Sequence, residues 1–167
     1  MTTTTEQASP IRLQITVDVP QEHAFRVFTE QFDQIKPHEY NLLPVEVEET
    51  VFETHVGGHV YDRGVDGSEC RWARVLAFEP PTRFVISWDI DARWQLESDV
   101  DRTSEVEVRF VALGDEQTRV ELEHRHLERH GEGWQGYRNG LENKGGWPVF
   151  LERFRALAAE SNHPHAG

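Results

Sequence analysis

The sequence predicts an α+β domain: an antiparallel sheet of about six to seven strands, short helices after the first strand, and a C-terminal helix. Three observations carry that prediction. Apolar and polar residues alternate in short runs between Ile11 and His126, the period of two expected of half-buried strands. Most of those runs are separated by turn signals such as Gly57-Gly58, Asp66-Gly67 and Gly114-Asp115 rather than by helical crossovers. A long stripe of helical period appears at the end, where Trp147, Leu151, Phe154 and Ala158 fall at i, i+4, i+7 and i+11.

Each element follows from its own pattern. Ile11, Leu13, Ile15 and Val17 alternate with Arg12, Gln14, Thr16 and Asp18 and form the first strand. Asp18 offers an N-cap, Pro20 suits a first helical turn, and Gln21 stands where a capping box places its return contact. Ala24, Phe25, Val27 and Phe28 give the following helix an apolar face, which Pro37 and His38-Glu39-Tyr40-Asn41 bring to an end. Strands are expected over Val51–Val56, His59–Arg63 and Cys70–Phe78, the last closed by Pro80-Pro81 because a strand interior cannot use two prolines. Phe84, Ile86, Trp88 and Ile90 alternate next, then Val106, Val108 and Phe110, then Val120, Leu122, His124 and His126. Trp134, Tyr137 and Leu141 form a turn or two of helix, which Gly145-Gly146 separates from the final helix. Pro148 sits near the start of that helix, where a missing N–H costs nothing. One domain is expected over residues 11–160, with 1–10 and 161–167 as disordered tails.

Composition narrows the function. Acidic residues outnumber basic ones 30 to 17, and the formal charge of −13 repels phosphate backbones and anionic leaflets alike. Nucleic acid and membrane are therefore not expected partners. The single Cys70 excludes an internal disulfide and fits a reducing compartment. The start Met1-Thr-Thr-Thr-Thr-Glu6 lacks the basic and apolar regions of a signal peptide, so a cytoplasmic location is expected. No cofactor is called for: the chain has no nucleophile elbow, phosphate-cradling glycine loop or dinucleotide fingerprint.

The run Val56-Gly-Gly-His-Val-Tyr-Asp-Arg-Gly-Val-Asp-Gly-Ser-Glu-Cys70 carries a family resemblance, with Arg74-Val-Leu-Ala-Phe-Glu-Pro-Pro81 and Val85-Ile-Ser-Trp88. Ala24-Phe-Arg-Val-Phe-Thr29, Ser104-Glu-Val-Glu-Val-Arg-Phe110, Thr118-Arg-Val-Glu-Leu-Glu-His124 and Gly145-Gly-Trp147 follow in the same order. Together they resemble the bacterial relatives of the heat-shock protein 90 ATPase activator, within the START-like (SRPBCC) superfamily. The resemblance spans about Ile11 to Ala158. It implies a helix-grip fold, in which a curved sheet holds the C-terminal helix around an apolar pocket. It also implies ligands of the lipid, sterol, hormone or polyketide kind, with cyclisation in a few members. The chain departs from the family habit at two places. Ile35 and Lys36 stand before Pro37 where a tryptophan pair is common, and His59 follows Gly57-Gly58 where arginine is common.

The candidate site residues are those expected to face a space between sheet and helix. Trp88, Phe110, His124, Trp147 and Leu151 are placed nearest to it, Trp134 and Tyr137 over it as a lid, and Tyr61 as a second polar anchor. His124 and His126 point to one strand face, with His130 past the strand end. Glu121 and Glu123 point to the opposite face, so no metal site is expected. His124 either is a hydrogen-bonded core residue or anchors a ligand. Asp62, Asp66, Glu69 and Glu79 fall where turns and exposed strand faces put carboxylates anyway, and Cys70 is expected to be buried and inert.

The function expected first is binding of a small hydrophobic or aromatic ligand without turnover. The alternatives are a polyketide cyclase-like enzyme with pocket acid–base residues, and a chaperone-related interaction module. These leave room for a chaperone or other protein partner and for a homodimer.

Overall fold

A computed structural model of the protein describes residues 9–143 and 145–161. The segments expected as tails therefore lie almost entirely outside the described residues, as do His163 and His165. Seven strands form one antiparallel sheet: β1 (Ile11–Val17), β2 (Val47–Phe52), β3 (His59–Gly64), β4 (Glu69–Glu79), β5 (Arg83–Trp88), β6 (Ser104–Gly114) and β7 (Gln117–Arg125). Their order is β1-β7-β6-β5-β4-β3-β2, so β2 to β7 run as a meander and β1 closes onto β7. Helices α1 (Gln21–Glu30) and α2 (Phe32–Ile35) carry the chain from one sheet edge to the other. After β7 come α3 (Trp134–Glu142) and α4 (Trp147–Ser161), the helix that the sheet grips.

The sheet curls because its ladders are interrupted. Register shifts fall between Val47 and Glu49, Val60 and Tyr61, Val75 and Ala77, and Ala112 and Gly114. Each extra residue bends its strand and increases the local twist. The outer face is covered by charge instead of a second layer. Arg83 pairs with Glu107 at 2.9 Å, Arg125 with Glu107 at 2.6 Å and Arg109 with Glu121 at 3.2 Å, linking β5, β6 and β7. Glu121 and Glu123 thus lie on the face opposite His124, as their alternation requires.

The inner face has two halves. In one, Phe25, Phe28, Phe32, Phe52, Phe84, Phe110 and Phe154 are buried in mutual contact, with ring centroids 4.9 Å apart for Phe28 and Phe154 and 5.1 Å for Phe25 and Phe110. In the other, Trp72, Trp88 and Trp147 follow one another at 5.3 Å per pair, and Trp147 rests 4.8 Å from Phe150.

Local details differ from the sequence patterns where tertiary contacts intervene. Helix α1 starts after Pro20, which makes no side-chain cap. Asp18 instead accepts from Gln117, and Gln21 Nε2 donates to the carbonyl of Phe110 at 2.7 Å, tying the helix to β6. Strand β2 lies earlier than Val51–Val56, because the chain already turns at Glu53, with Gly57 at φ +92°. His126 does not share a strand face with His124. It takes a left-handed conformation, φ +67°, and starts a short 3-10 turn over Leu127–His130.

That turn brings His130, rather than His126, back to the sheet. Trp147 Nε1 donates to His124 Nδ1 at 3.0 Å, and Ser104 Oγ lies 2.8 Å from His124 Nε2 and 2.7 Å from His130 Nε2. An indole nitrogen can only donate, which fixes the direction of the chain. His124 carries its proton on Nε2 and donates to Ser104, which donates to His130. The remaining proton sits on His130 Nδ1, which is buried without a partner. Burial holds both rings below the ordinary value of 6.5, His124 well below it with a smaller push from His130. The carboxylates of Asp91, Glu97 and Asp89 partly oppose the effect at His130.

An unfolded chain takes up protons at these rings as pH falls through about 6.5, and the folded chain takes up fewer, so folding weakens on acidification. Each histidine contributes a slope of at most about 1.4 kcal/mol per pH unit. Urea unfolding from pH 7.5 down to 5.5 is expected to show this loss, and His124→Gln to remove the larger part of the two rings' contribution to the slope. A wild-type slope that stays flat through this window would contradict the neutral chain.

Candidate functional site

Sheet and helices leave a cavity of about 760 Å³ in the tryptophan half of the core. Its apolar walls are Trp72 from β4, Trp88 from β5, Trp147 and Phe150 from α4, and Tyr137 and Leu141 from α3. Trp88 Nε1 donates to the Tyr137 hydroxyl at 2.6 Å, which donates to the carbonyl of Ile90 at 2.6 Å. These two bonds lock the sheet wall to the helix above it. Burial pushes the Tyr137 phenol up, so it stays protonated at neutral pH.

The rim is made of small and exposed residues. Gly133, Gly136 and Gly140 occupy the cavity-facing side of α3 with Tyr137 and Leu141, the i, i+3, i+4, i+7, i+8 stripe of one helix face. A Cβ added at Gly136 or Gly140 would meet nothing within 4 Å. Opposite them stand exposed Glu39 and Tyr40 and the loop tip at Trp94, 55% exposed. Trp94 has φ +59°, uncommon for a bulky residue, and its ring meets Tyr137 edge-on at 5.5 Å. The cavity therefore opens to solvent between α3, residues 39–42 and the 92–94 loop.

One wall is polar. Lys36, just after α2, and Asp62 on β3 are 3% and 1% exposed and pair at 3.1 Å. Asp62 Oδ1 also accepts from Thr50 Oγ1 at 2.7 Å, and Lys36 donates to the carbonyl of Tyr40. The Lys36 ammonium lies 5.6 Å from the centre of the Trp72 ring, within reach of its negative face. Burial lowers the lysine's pKa, and the Asp62 charge and hydrogen bond partly offset the shift. Cys70 lies in the same region, and burial pushes its thiol up to about 11, so no reactive thiolate forms. No group of three or more His, Cys, Asp or Glu side chains among the described residues could hold a metal ion.

Of the residues singled out in the sequence, Trp88, Tyr137 and Trp147 line the cavity. His124 is fully buried behind the cavity wall, where it holds the Trp147 indole and meets the Trp88 ring edge-on at 5.4 Å. Phe110 belongs to the phenylalanine half, where it meets Phe25 and Phe28. Leu151 is buried on α4, and Trp134 is partly buried at the start of α3. Tyr61 alternates with Val60 and Asp62, and its ring lies under the Arg71 guanidinium at 5.6 Å.

Lys36, Asp62, Trp72, Trp94, Leu141 and Phe150 are among the lining residues that the sequence patterns did not assign to the site. Asp62 is not on an exposed strand face: it follows Val60 at i+2 on the buried side of β3. That alternation was a legible signal. Lys36 stood out as a lysine in place of a tryptophan before Pro37, although nothing local indicated burial.

The family model described as Activator of Hsp90 ATPase homolog 1-like protein matches residues 18–159. Among solved structures, an anthrahydroquino-gamma-pyrone synthase complexed with a molecule denoted SUM is 38% identical, covering 91% of this chain and 98% of that one, with TM-score 0.63. CalC, a self-sacrificing resistance protein from Micromonospora echinospora, is 30% identical over 91% of this chain and 95% of that one, with TM-score 0.66. A protein from Mesorhizobium loti shares the fold at 16% identity, covering 93% of this chain and all of that one, with TM-score 0.60. A comparison with curated proteins gave no significant match. With the curled sheet, the gripped helix and a family match over most of its length, the chain belongs to the Activator of Hsp90 ATPase homolog 1-like family of the START-like superfamily.

Proposed function

We propose that this protein binds a planar aromatic molecule of the polyketide type in its cavity, with Trp88, Trp147 and Tyr137 as the ring-contacting walls. The observation that carries this is the cavity itself: about 760 Å³, walled by tryptophans and open at a glycine rim. That volume lies within the usual range for small-molecule sites, and aromatic walls favour flat ring systems by stacking and edge contacts. The 38% likeness to a synthase named for an anthrahydroquinone-pyrone product supports an aromatic, polycyclic occupant.

A second reading, ring-closing catalysis on the same ligand, is favoured by one observation. The buried Lys36–Asp62 pair sets an ammonium and a carboxylate in the cavity wall, the two groups a proton-transfer step requires. The histidine chain does not serve that purpose, since neither His124 nor His130 is among the residues that line the cavity.

The glycine rim supplies a test that spares the fold. Replacing Gly136 and Gly140 together by leucine adds side chains to open space, and leucine exceeds glycine in helix propensity by about 0.6–0.8 kcal/mol per site. The double variant is expected to unfold at the same temperature as the wild type or higher. Its calorimetric affinity for xanthone, a planar tricyclic ketone, is expected to fall at least about tenfold, or 1.4 kcal/mol. A folded variant that binds xanthone as well as the wild type would place the ligand elsewhere.

A further inference from the structure

The polar end of the cavity has a definite donor and acceptor count. An ammonium carries three N–H bonds. Lys36 uses one on Asp62 Oδ2 and one on the carbonyl of Tyr40, and among the described residues no oxygen accepts the third. Both Asp62 oxygens are engaged, by Lys36 and by Thr50. Trp72, whose ring lies beside Lys36, has an indole N–H that is buried without a partner. This end of the site therefore has unused donors, while each Asp62 oxygen already accepts one hydrogen bond.

Charge sets a second condition. Lys36 and Asp62 cancel one another, and Lys36 is the one cation among the described lining residues, with Glu39 at the rim. A ligand carboxylate would bring an uncompensated negative charge into an aromatic enclosure, where burial is costly. A neutral ketone or quinone oxygen accepts the free N–H without disturbing that balance.

We propose that Lys36 is the ligand-orienting residue of this cavity, donating its third N–H to a ring carbonyl oxygen of a neutral aromatic ketone or quinone. The inference rests on the proposed aromatic-ligand function and names the ligand class within it. Asp62 acts as the positioning residue: it holds the ammonium at 3.1 Å and keeps the pair neutral. Burial lowers the lysine's pKa, and the Asp62 charge and hydrogen bond oppose that shift in favour of the ammonium that donates.

Three matched probes test this: xanthone, xanthene, which has a methylene in place of the carbonyl, and xanthone-2-carboxylate. Each is titrated calorimetrically into the wild type and into Lys36→Met/Asp62→Asn. That double variant removes both charges together and keeps an amide oxygen for Thr50. The wild type is expected to prefer xanthone over xanthene by about tenfold or more, the effect of one charged hydrogen bond. It is also expected to bind the carboxylate more weakly than xanthone. In the double variant the preference for xanthone over xanthene disappears. Infrared spectra are expected to show the bound xanthone carbonyl stretch shifted to lower frequency in the wild type and relieved in the variant.

Equal wild-type affinity for xanthone and xanthene would overturn the lysine contact and leave cavity binding intact. A preference that survives in the double variant, or a carboxylate that binds tighter than xanthone, would overturn it as well. Binding of none of the three to the wild type would remove the aromatic-ligand function and this inference with it. Should the double variant fail to fold, the wild-type affinities and carbonyl frequency decide alone.

Discussion

The curl of a seven-stranded sheet around one helix is the constraint on which the rest of this structure depends. Four register shifts bend the sheet until its inner face is a concave surface, and α4 covers only part of it. Phenylalanines fill one end, where α1, α2 and α4 come together over β5 and β6. At the other end the covering element is α3, whose cavity-facing side is largely glycine. Removing side chains from a short helix costs roughly 1 kcal/mol per glycine against alanine, and here neither φ nor crowding demands it at Gly136 or Gly140. Gly146 is different: a Cβ there would come 2.1 Å from the carbonyl oxygen of Leu141, so the close turn between α3 and α4 requires glycine.

Two buried polar constructions hold the open end in shape. The chain from Trp147 through His124 and Ser104 to His130 joins α4, β7, β6 and the turn before α3. The Lys36–Asp62–Thr50 group joins the end of α2 to β3 and β2. Neither is a strong source of net stability, because desolvation of buried polar and charged groups offsets most of what their contacts contribute. Their effect is geometric. They fix which rings form the cavity wall, and removing one partner leaves the other buried and unpaired.

Much of the fold was legible in the sequence because strand alternation and the final helical stripe are strong, local signals. Ile11–Val17 and Trp147–Ala158 sit where those periods put them. Details that depend on distant contacts were not legible. Pro20 and Gln21 looked like parts of a cap, yet Gln21 is drawn to a carbonyl 89 residues away. His126 looked like a strand residue until its left-handed backbone turned the chain toward Ser104. At the site, Trp88, Tyr137 and Trp147 could be placed from their apolar stripes. Lys36 and Asp62 could not be paired from sequence alone, since 26 residues separate them and only the packing of α2 against β2, the neighbour of β3, brings them together. Charged side chains are read as solvated by default, and that default fails where a cavity needs a polar end.

The most direct test of the central claim is a crystal structure of the protein grown with xanthone. The account predicts a flat ligand between Trp88, Trp147 and Tyr137, with its carbonyl oxygen within hydrogen-bond distance of Lys36 Nζ. Ligand seated on the outer sheet face, or a cavity left filled by repacked side chains with the ligand elsewhere, would contradict it.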